Sequence, residues 1–349
     1  MSLPLAAQQN LGSQALRDLK QNTTFSGYVI GQASVNDQRG NDVQADAQLR
    51  LVRVSASGKV LDFAYQLQLQ LNGHNNDAKG NAPRIVDAWV EWQKLDFLRV
   101  KFGQFKRAFT FENPFHPWET GSGSYSQLTT RLAGMSDRVG EHASNGRDMG
   151  LQLQGDLLPV AADRHHFLHY QIGVYTGQGI NTGDKNTRKD VIGGIAVRPL
   201  KDLQVGLFGW DGNFVKDGLT VRRTRWAVGA KYDGPVTARA EYAHSVGRKV
   251  STAADGTPIV SGADRADAWY ALLGVPVGQK VKLWAKYDVY RDARTWDSAR
   301  SLYILTADYN FTKNLKLQLN LTRVNDRIVN TAGGDGDYNM ADLQVYVRF

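Results

Sequence analysis

The most constraining feature of this sequence is a strict two-residue alternation of apolar and polar side chains, held over long segments, in a chain with no long apolar run. From position 61, Leu61, Phe63, Tyr65, Leu67, Leu69 and Leu71 share one face, while Asp62, Gln66, Gln68 and Gln70 share the other. Val281, Leu283, Ala285, Tyr287 and Val289 alternate with Lys280, Lys282, Trp284, Lys286 and Asp288. Leu315, Leu317, Leu319 and Leu321 alternate with Lys316, Gln318, Asn320 and Thr322, and Leu343, Val345, Val347 and Phe349 close the chain the same way. A period of two belongs to a β-strand with one apolar and one polar face. Soluble strands are typically about five or six residues long. Many of these segments reach about ten, the length a tilted strand needs to cross a bilayer. No stretch approaches the roughly 18 apolar residues of a spanning helix. Hydrocarbon offers no water to unpaired peptide groups, so strands that cross it must close into a barrel.

The alternation predicts strands near 25–36, 43–54, 61–72, 84–94, 97–105, 147–157, 166–176, 189–198, 202–211, 222–233, 235–247, 266–276, 279–290, 301–311, 314–325 and 338–349. Their connections alternate in character. Leu95-Asp96, Pro199-Leu200-Lys201, Asp233-Gly234-Pro235, Val277-Gly278 and Thr312-Lys313 are tight, whereas 106–146, 177–188, 212–221, 248–265, 291–300 and 326–337 read as long and polar. Short turns at one rim and long loops at the other describe a bacterial outer-membrane barrel of about sixteen strands. The expected fold class is therefore all-β, a transmembrane antiparallel barrel over 25–349, preceded by a segment 1–24. Within that segment Leu11, Ala15, Leu16 and Leu19 have helical spacing, which fits a short periplasmic helix or disorder. The opening Met1-Ser2-Leu3-Pro4-Leu5-Ala6-Ala7 lacks a charged leader region and reads as a mature start behind an added Met or as a leader remnant. Trp92, Tyr232, Tyr242, Tyr309 and Tyr338 stand at strand ends, as interfacial aromatic girdles do.

The longest connection, 106–146, is the candidate constriction. Loops of this length are unusual and tend to be functional. Phe109, Phe111, Phe115 and Trp118 give it enough apolar surface to pack inside a barrel too wide to fill with its own side chains. It also carries Lys106, Arg107, Arg131 and Arg138. If the apolar face of each strand meets lipid, parity sends Arg50, Arg99, Lys101, Arg223, Arg225, Lys231, Arg239, Lys282, Lys286 and Lys316 into the lumen. Asp46, Asp87, Glu91, Asp148, Glu241, Asp288 and Asp308 join them. Rings of basic side chains favour anions, and the mixture predicts a mild anion preference in a path for small hydrophilic solutes. The formal charge of +8 agrees in sign. Its scatter along the chain does not resemble the clustered basic face of a nucleic-acid binder.

Enzyme chemistry finds no support. The chain has no Cys, hence no disulfide, thiolate ligand or thiol nucleophile. His165, His166 and His169 sit beside a turn, and the neighbours His244 and Ser245 must point to opposite faces of one strand. No nucleophile–base pair, cofactor site or metal site is expected. The competing reading is a plugged structural or adhesion barrel, or a subunit of a surface complex, without transport.

Asp87-Ala88-Trp89-Val90-Glu91-Trp92, then Val100-Lys101-Phe102-Gly103-Gln104-Phe105-Lys106-Arg107-Ala108-Phe109, Glu112-Asn113 and Gly146-Arg147-Asp148-Met149-Gly150 together resemble the phosphate-selective porin O/P family. Phe25-Ser26-Gly27-Tyr28 fits its first strand, and Ser136-Asp137-Arg138-Val139-Gly140-Glu141-His142 resembles its Bacteroidetes branch. The resemblance implies a sixteen-stranded porin, usually trimeric, in outer-membrane lipid and lipopolysaccharide, with the infolded third loop as constriction. It makes Lys106 and Arg107 the leading constriction candidates and gives Glu112, Asn113, Arg147 and Asp148 a structural role between loop and wall. The terminal Phe349 resembles the signal read by outer-membrane assembly machinery. Ala108 stands where the family often has Pro, and no dense Arg ladder is evident, so the architecture transfers better than phosphate selectivity.

Overall fold

A computed structural model describes residues 14, 17–38, 44–73 and 83–349. The strands run in chain order as β1 (Thr24–Asn36), β2 (Ala45–Val60), β3 (Phe63–Gln70), β4 (Arg84–Leu95), β5 (Leu98–Lys106), β6 (Arg147–Pro159), β7 (His166–Tyr175), β8 (Asp190–Leu200) and β9 (Leu203–Lys216). They continue as β10 (Leu219–Asp233), β11 (Thr237–Val246), β12 (Lys249–Thr252), β13 (Pro258–Ser261), β14 (Arg265–Val277), β15 (Val281–Arg291), β16 (Ala299–Thr312), β17 (Leu315–Asp326) and β18 (Asp337–Arg348). All but β12 and β13 form one closed antiparallel barrel of sixteen strands, and those two make a separate hairpin. Closure is completed by β1 against β18, where Gly27 and Phe349 exchange backbone hydrogen bonds of 3.1 and 3.0 Å. Residues 17–22 are helical, but Leu11, Ala15 and Leu16 of the expected N-terminal helix lie outside the described residues.

The two faces of the wall separate as the alternation requires. Leu151, Leu207, Leu305 and Leu321 are exposed on the outside, where lipid would cover them, whereas Gln68, Gln318, Asn320 and Gln344 are buried inside. Inside, amide and carboxylate side chains satisfy one another across strands: Gln318 donates to Asp308 at 2.6 Å and Asn320 to Asp342 at 3.1 Å. Tyr309 and Phe311 form one outward aromatic pair near the short-turn rim. Tyr338 departs from the girdle pattern, because it accepts a 3.5 Å bond from Arg300 on the inner side.

The structure changes two local expectations. The long polar loop predicted over 212–221 is instead the tip of an extended hairpin: β9 and β10 stay paired as far as Lys216 and Leu219. Asp217 and Gly218 alone make the turn, both with positive φ (52° and 79°), as a type I′-like hairpin turn requires. Polar residues mislead here because the hairpin rises beyond the membrane, where its faces need not alternate with lipid. The second change is a bulge in β2. Ile30 pairs with Leu51 and Gly31 with Leu49, leaving Arg50 as an extra residue. Arg50 and Leu51 therefore both turn inward, and parity beyond them is reversed, which brings Arg53 into the lumen.

Leu305 is 62% exposed near the middle of β16. Replacing it with Arg is expected to destabilise the barrel by about 2–4 kcal/mol in lipid vesicles, measured by equilibrium refolding, because the charge would lie near the bilayer midplane.

Candidate functional site

The segment 107–146 folds into the barrel, packs its main apolar cluster on the wall from β7 to β15, and sets Trp118 against Tyr346 of β18 at 5.7 Å. Phe109, Leu128, Leu132 and Ala133 are completely buried against Trp210, Tyr270, Leu272 and Trp284. Phe109 meets Trp210 edge-on at 5.6 Å, and Phe111 meets Phe208 at 5.1 Å. A short helix, Gln127–Leu132, is capped by Ser126, whose hydroxyl accepts from the Thr129 N–H. Burying a loop leaves its peptide N–H groups needing partners, and wall carboxylates supply them. Glu241 accepts from the N–H groups of Phe111 (2.7 Å) and Glu112 (2.9 Å), and Asp288 accepts from that of Gln127 (2.9 Å). Lys286 lies between Glu112 and Asp288, 3.7 Å from each.

An ion-pair chain fastens both ends of the loop. Arg107 reaches Glu141 at 3.0 Å and Asp148 at 2.9 Å with all three side chains fully buried. Glu141 also binds Arg223, which reaches Asp190 at 2.7 Å. Arg225 grips Asp137 at 2.5 and 2.6 Å. Burial opposes the charge of Arg107, yet Glu141 and Asp148 hold its guanidinium above the ordinary value. Asp137 stays below the usual carboxylate range, since Arg225 outweighs the burial that would raise it. Gly134 (φ +88°) makes room for this latch, because a Cβ there would collide with the Arg107 guanidinium. The outer hairpin joins in: Val250 of β12 donates to the Val139 carbonyl at 2.9 Å and packs with Val139, Phe214 and Val221.

Toward β1–β6 the loop touches the wall at separate points, His116 meeting the Tyr28 ring at 4.4 Å and the Gly123 carbonyl accepting from Arg50, and leaves space between them. Two cavities lie there, of about 340 and 260 Å³, and both are bounded by Arg53, Lys106, Pro117 and Arg147. Arg50 lines the smaller and Lys101 the larger. Asp87 is the only carboxylate lining either cavity among the described residues, and it is held by Arg147 through two 2.8 Å bonds. Lys106 donates to Tyr125 Oη at 3.1 Å and to the carbonyls of Phe115 (3.3 Å) and Asn113. Lys101 Nζ stands 3.6 Å over the Trp89 ring. Arg53 donates to Gln70 at 3.0 Å, and Arg50 to Gln344 at 2.7 Å. His116, on the loop side, registers this field. Burial first, and then Arg53, Lys106, Arg348 and Arg147, lower its pKa to about 4.

The structure thus divides the sequence-predicted site residues. Lys106, Lys101 and Arg50 border the open space together with Arg147, which is paired with Asp87. Arg107 does not present a free charge there, contrary to the expectation, because its guanidinium is enclosed by Glu141 and Asp148. Arg223, Arg225 and Lys286 are likewise occupied by loop or wall carboxylates. Arg138 donates to the carbonyls of Ala263 (2.8 Å) and Gly247. Arg131 is exposed at the end of the loop helix. Arg99 pairs with Asp156 at 2.6 Å, Arg239 with Asp233 at 2.8 Å, and Lys282 donates to Thr237 at 2.8 Å. Glu112 accepts from the Ser126 N–H at 2.9 Å, and Asn113 ties the Arg107 and Gly146 carbonyls at 3.1 and 3.2 Å. Asp148 closes the latch, and Phe349 is 70% exposed at the seam. Arg53 was hidden from sequence reading by the β2 bulge. His244 faces outward beside Trp226 while Ser245 turns inward to Arg225, so the two do not form a pair.

A closed sixteen-stranded barrel narrowed by an inward-folded third loop defines the class: a porin-type β-barrel. Residues 27–139 match the family model for phosphate-selective porin O and P, a stretch that runs from within β1 through β5 and most of the loop. The fold is similar to that of the anion-selective porin from Comamonas acidovorans, at a TM-score of 0.67 and 16% identity, covering 94% of this chain and 99% of that one. It is also similar to Salmonella typhi OmpF in a complex with daunomycin (TM-score 0.69, 14% identity, 94% and 98% covered). The outer membrane channel DcaP of Acinetobacter baumannii aligns at a TM-score of 0.64 and 12% identity, with 94% and 97% covered. Among curated protein sequences none matches.

Two outcomes follow from the geometry. Arg107→Ala leaves Glu141 and Asp148 buried with one cation fewer and is expected to cost about 3–5 kcal/mol in thermal or denaturant unfolding. It should also add open-channel noise in single-channel records as the loop loosens. His116 stays neutral from pH 7 to 5 and gains a proton only as pH falls toward about 4. Any anion preference should therefore rise in that acid range, and since lumen carboxylates are protonated over much the same range, reversal potentials of His116→Gln should show a smaller rise than the wild type.

Proposed function

We propose that the chain is an outer-membrane porin for passive diffusion of small hydrophilic solutes, with a mild preference for anions. The observation that carries this reading is the segregation of charge across the lumen. Cations on the wall from β7 to β15 are matched by carboxylates, whereas Arg50, Arg53, Lys101, Lys106 and Arg147 border the space left between loop and wall on the other side, with Asp87 as the one carboxylate lining it among the described residues. Basic linings favour anions, and a conducting site must bind weakly enough to release its solute. The Comamonas porin of similar fold is described as anion-selective, which supports the same direction. Phosphate is one candidate solute, given the family that residues 27–139 match.

A homotrimer embedded in outer-membrane lipid and lipopolysaccharide is part of this proposal, since Vibrio cholerae OmpT, at a TM-score of 0.60, has a trimer form. The outward Phe349 ring supports its reading as an assembly signal. Fold and family point to a channel rather than an enzyme.

Planar-bilayer recording under a salt gradient tests the proposal. Stable conductance steps with an anion-leaning reversal potential are expected. Lys101→Glu combined with Lys106→Glu should move that potential toward cations without abolishing conductance. An unchanged potential would remove these residues from the ion path, and silence from a folded barrel would favour the plugged scaffold.

A further inference from the structure

Ion passage uses the inner surface, but the outer surface at the long-loop rim carries a charged and aromatic patch of its own. Trp226, Tyr242, Trp269 and Trp296 run as a contiguous band over β10, β11, β14 and the loop after β15, with ring centroids 5.3, 6.5 and 5.8 Å apart. Trp and Tyr favour the headgroup level of a membrane. Beside this band, Arg291 and Arg294 share one completely buried carboxylate, Asp267, at 2.7 and 3.5 Å. Arg291 also lies over Trp269 and Trp296, at 5.0 and 5.3 Å. Two guanidiniums on one carboxylate leave an uncompensated positive charge, and the exposed Arg265 adds another two residues along β14. The nearby Asp292 is engaged by Arg138 at 3.6 Å, Asp264 and Asp297 are exposed, and the exposed Arg248, which donates to the Gly262 carbonyl at 3.1 Å, leaves the rim one arginine in excess of its carboxylates.

Below the arginines the wall is concave. A groove of about 950 Å³ runs over β14–β18 and the end of β1, lined by Leu273, Ala285, Tyr287, Tyr303, Leu305 and Leu321, with Asp37 and Arg323 also on its lining. Tyr287 and Tyr303 pair at 4.9 Å near its upper end. Along β15, Tyr287 lies four residues from Arg291 on the same face, about 14 Å at strand rise. The patch thus offers cations at the headgroup level and a hydrocarbon-lined channel beneath them.

We propose that this face binds one phosphorylated, multiply acylated glycolipid of the outer leaflet. Its phosphate sits on Arg265, Arg291 and Arg294, and an acyl chain lies in the groove over Ala285. Charge complementarity selects this occupant: anionic headgroups are drawn to basic clusters at the membrane surface, whereas a purely apolar neighbour would leave the arginine excess unanswered. The proposal rests on the reading of the chain as an outer-membrane barrel, but not on its conducting ions.

Native mass spectrometry of the detergent-purified protein tests it, with bisphosphorylated lipid A as probe and phosphate-free lipid A and inorganic phosphate as comparisons. The bisphosphorylated probe should be retained in preference to the phosphate-free one, and inorganic phosphate should not displace it. Arg265→Glu with Arg294→Glu should weaken retention at least about tenfold, with single-channel conductance unchanged. Arg294→Gln, a milder loop substitution, should weaken it in the same direction. Ala285→Trp, which fills the groove, should weaken retention with the arginines intact. Equal binding by the wild type and the charge variants would overturn the proposal, as would displacement by inorganic phosphate. Loss of oligomer with lipid retention unchanged would also overturn it and assign the face to a second copy. A barrel that retains lipid A yet never conducts would sink the porin reading and leave this site standing.

Discussion

The Arg107 guanidinium, shared between Glu141 and Asp148, is the interaction on which the shape of the lumen depends. It stands where the polypeptide leaves β5 for its long excursion, and its partners lie near the point where the chain returns to the wall. Without that closure, Phe109, Leu128 and Leu132 would have no fixed place against β9, β11 and β14, and the loop would be an apolar segment loose in water. Buried ion pairs are weak contributors to stability when compared with apolar replacements. Here their value is positional, because they fix which part of a wide barrel is filled and which remains open.

That placement also decides which charges matter. The formal excess of +8 is not spread evenly over the interior. Carboxylates gather where the loop needs its peptide groups capped and its arginines matched, as at Glu241, Asp288, Asp137 and Asp190. On the opposite wall the loop is held by donors instead, Arg50 to the Gly123 carbonyl and Lys106 to the carbonyls of Asn113 and Phe115. The charge lining the remaining space is thus tied to how the loop is held on each side of the barrel.

Much of this architecture was legible in the sequence because lipid and lumen impose opposite demands on neighbouring residues. The alternation in β3, β15, β17 and β18 revealed the barrel, and the length and aromatic content of 106–146 revealed the infolded loop. What remained hidden lay where strict alternation fails or where partners are distant in the chain. One extra residue at Arg50 rotates Arg53 into the lumen, and no period-two count anticipates a bulge. The extended hairpin at Asp217–Gly218 lies beyond the membrane, where polarity no longer distinguishes strand from loop. Arg107 looked available because Glu141 and Asp148, 34 and 41 residues away, are brought to it only by the fold.

The contact between Val250 and Val139 gives the outer hairpin a further meaning. β12 and β13 stand among the segments that face the cell's surroundings, yet one edge of this hairpin is hydrogen-bonded to the same loop that narrows the interior. Mechanically it is a lever with its handle outside and its short arm inside. A displacement of the hairpin from outside would thereby be passed to the loop that narrows the barrel within.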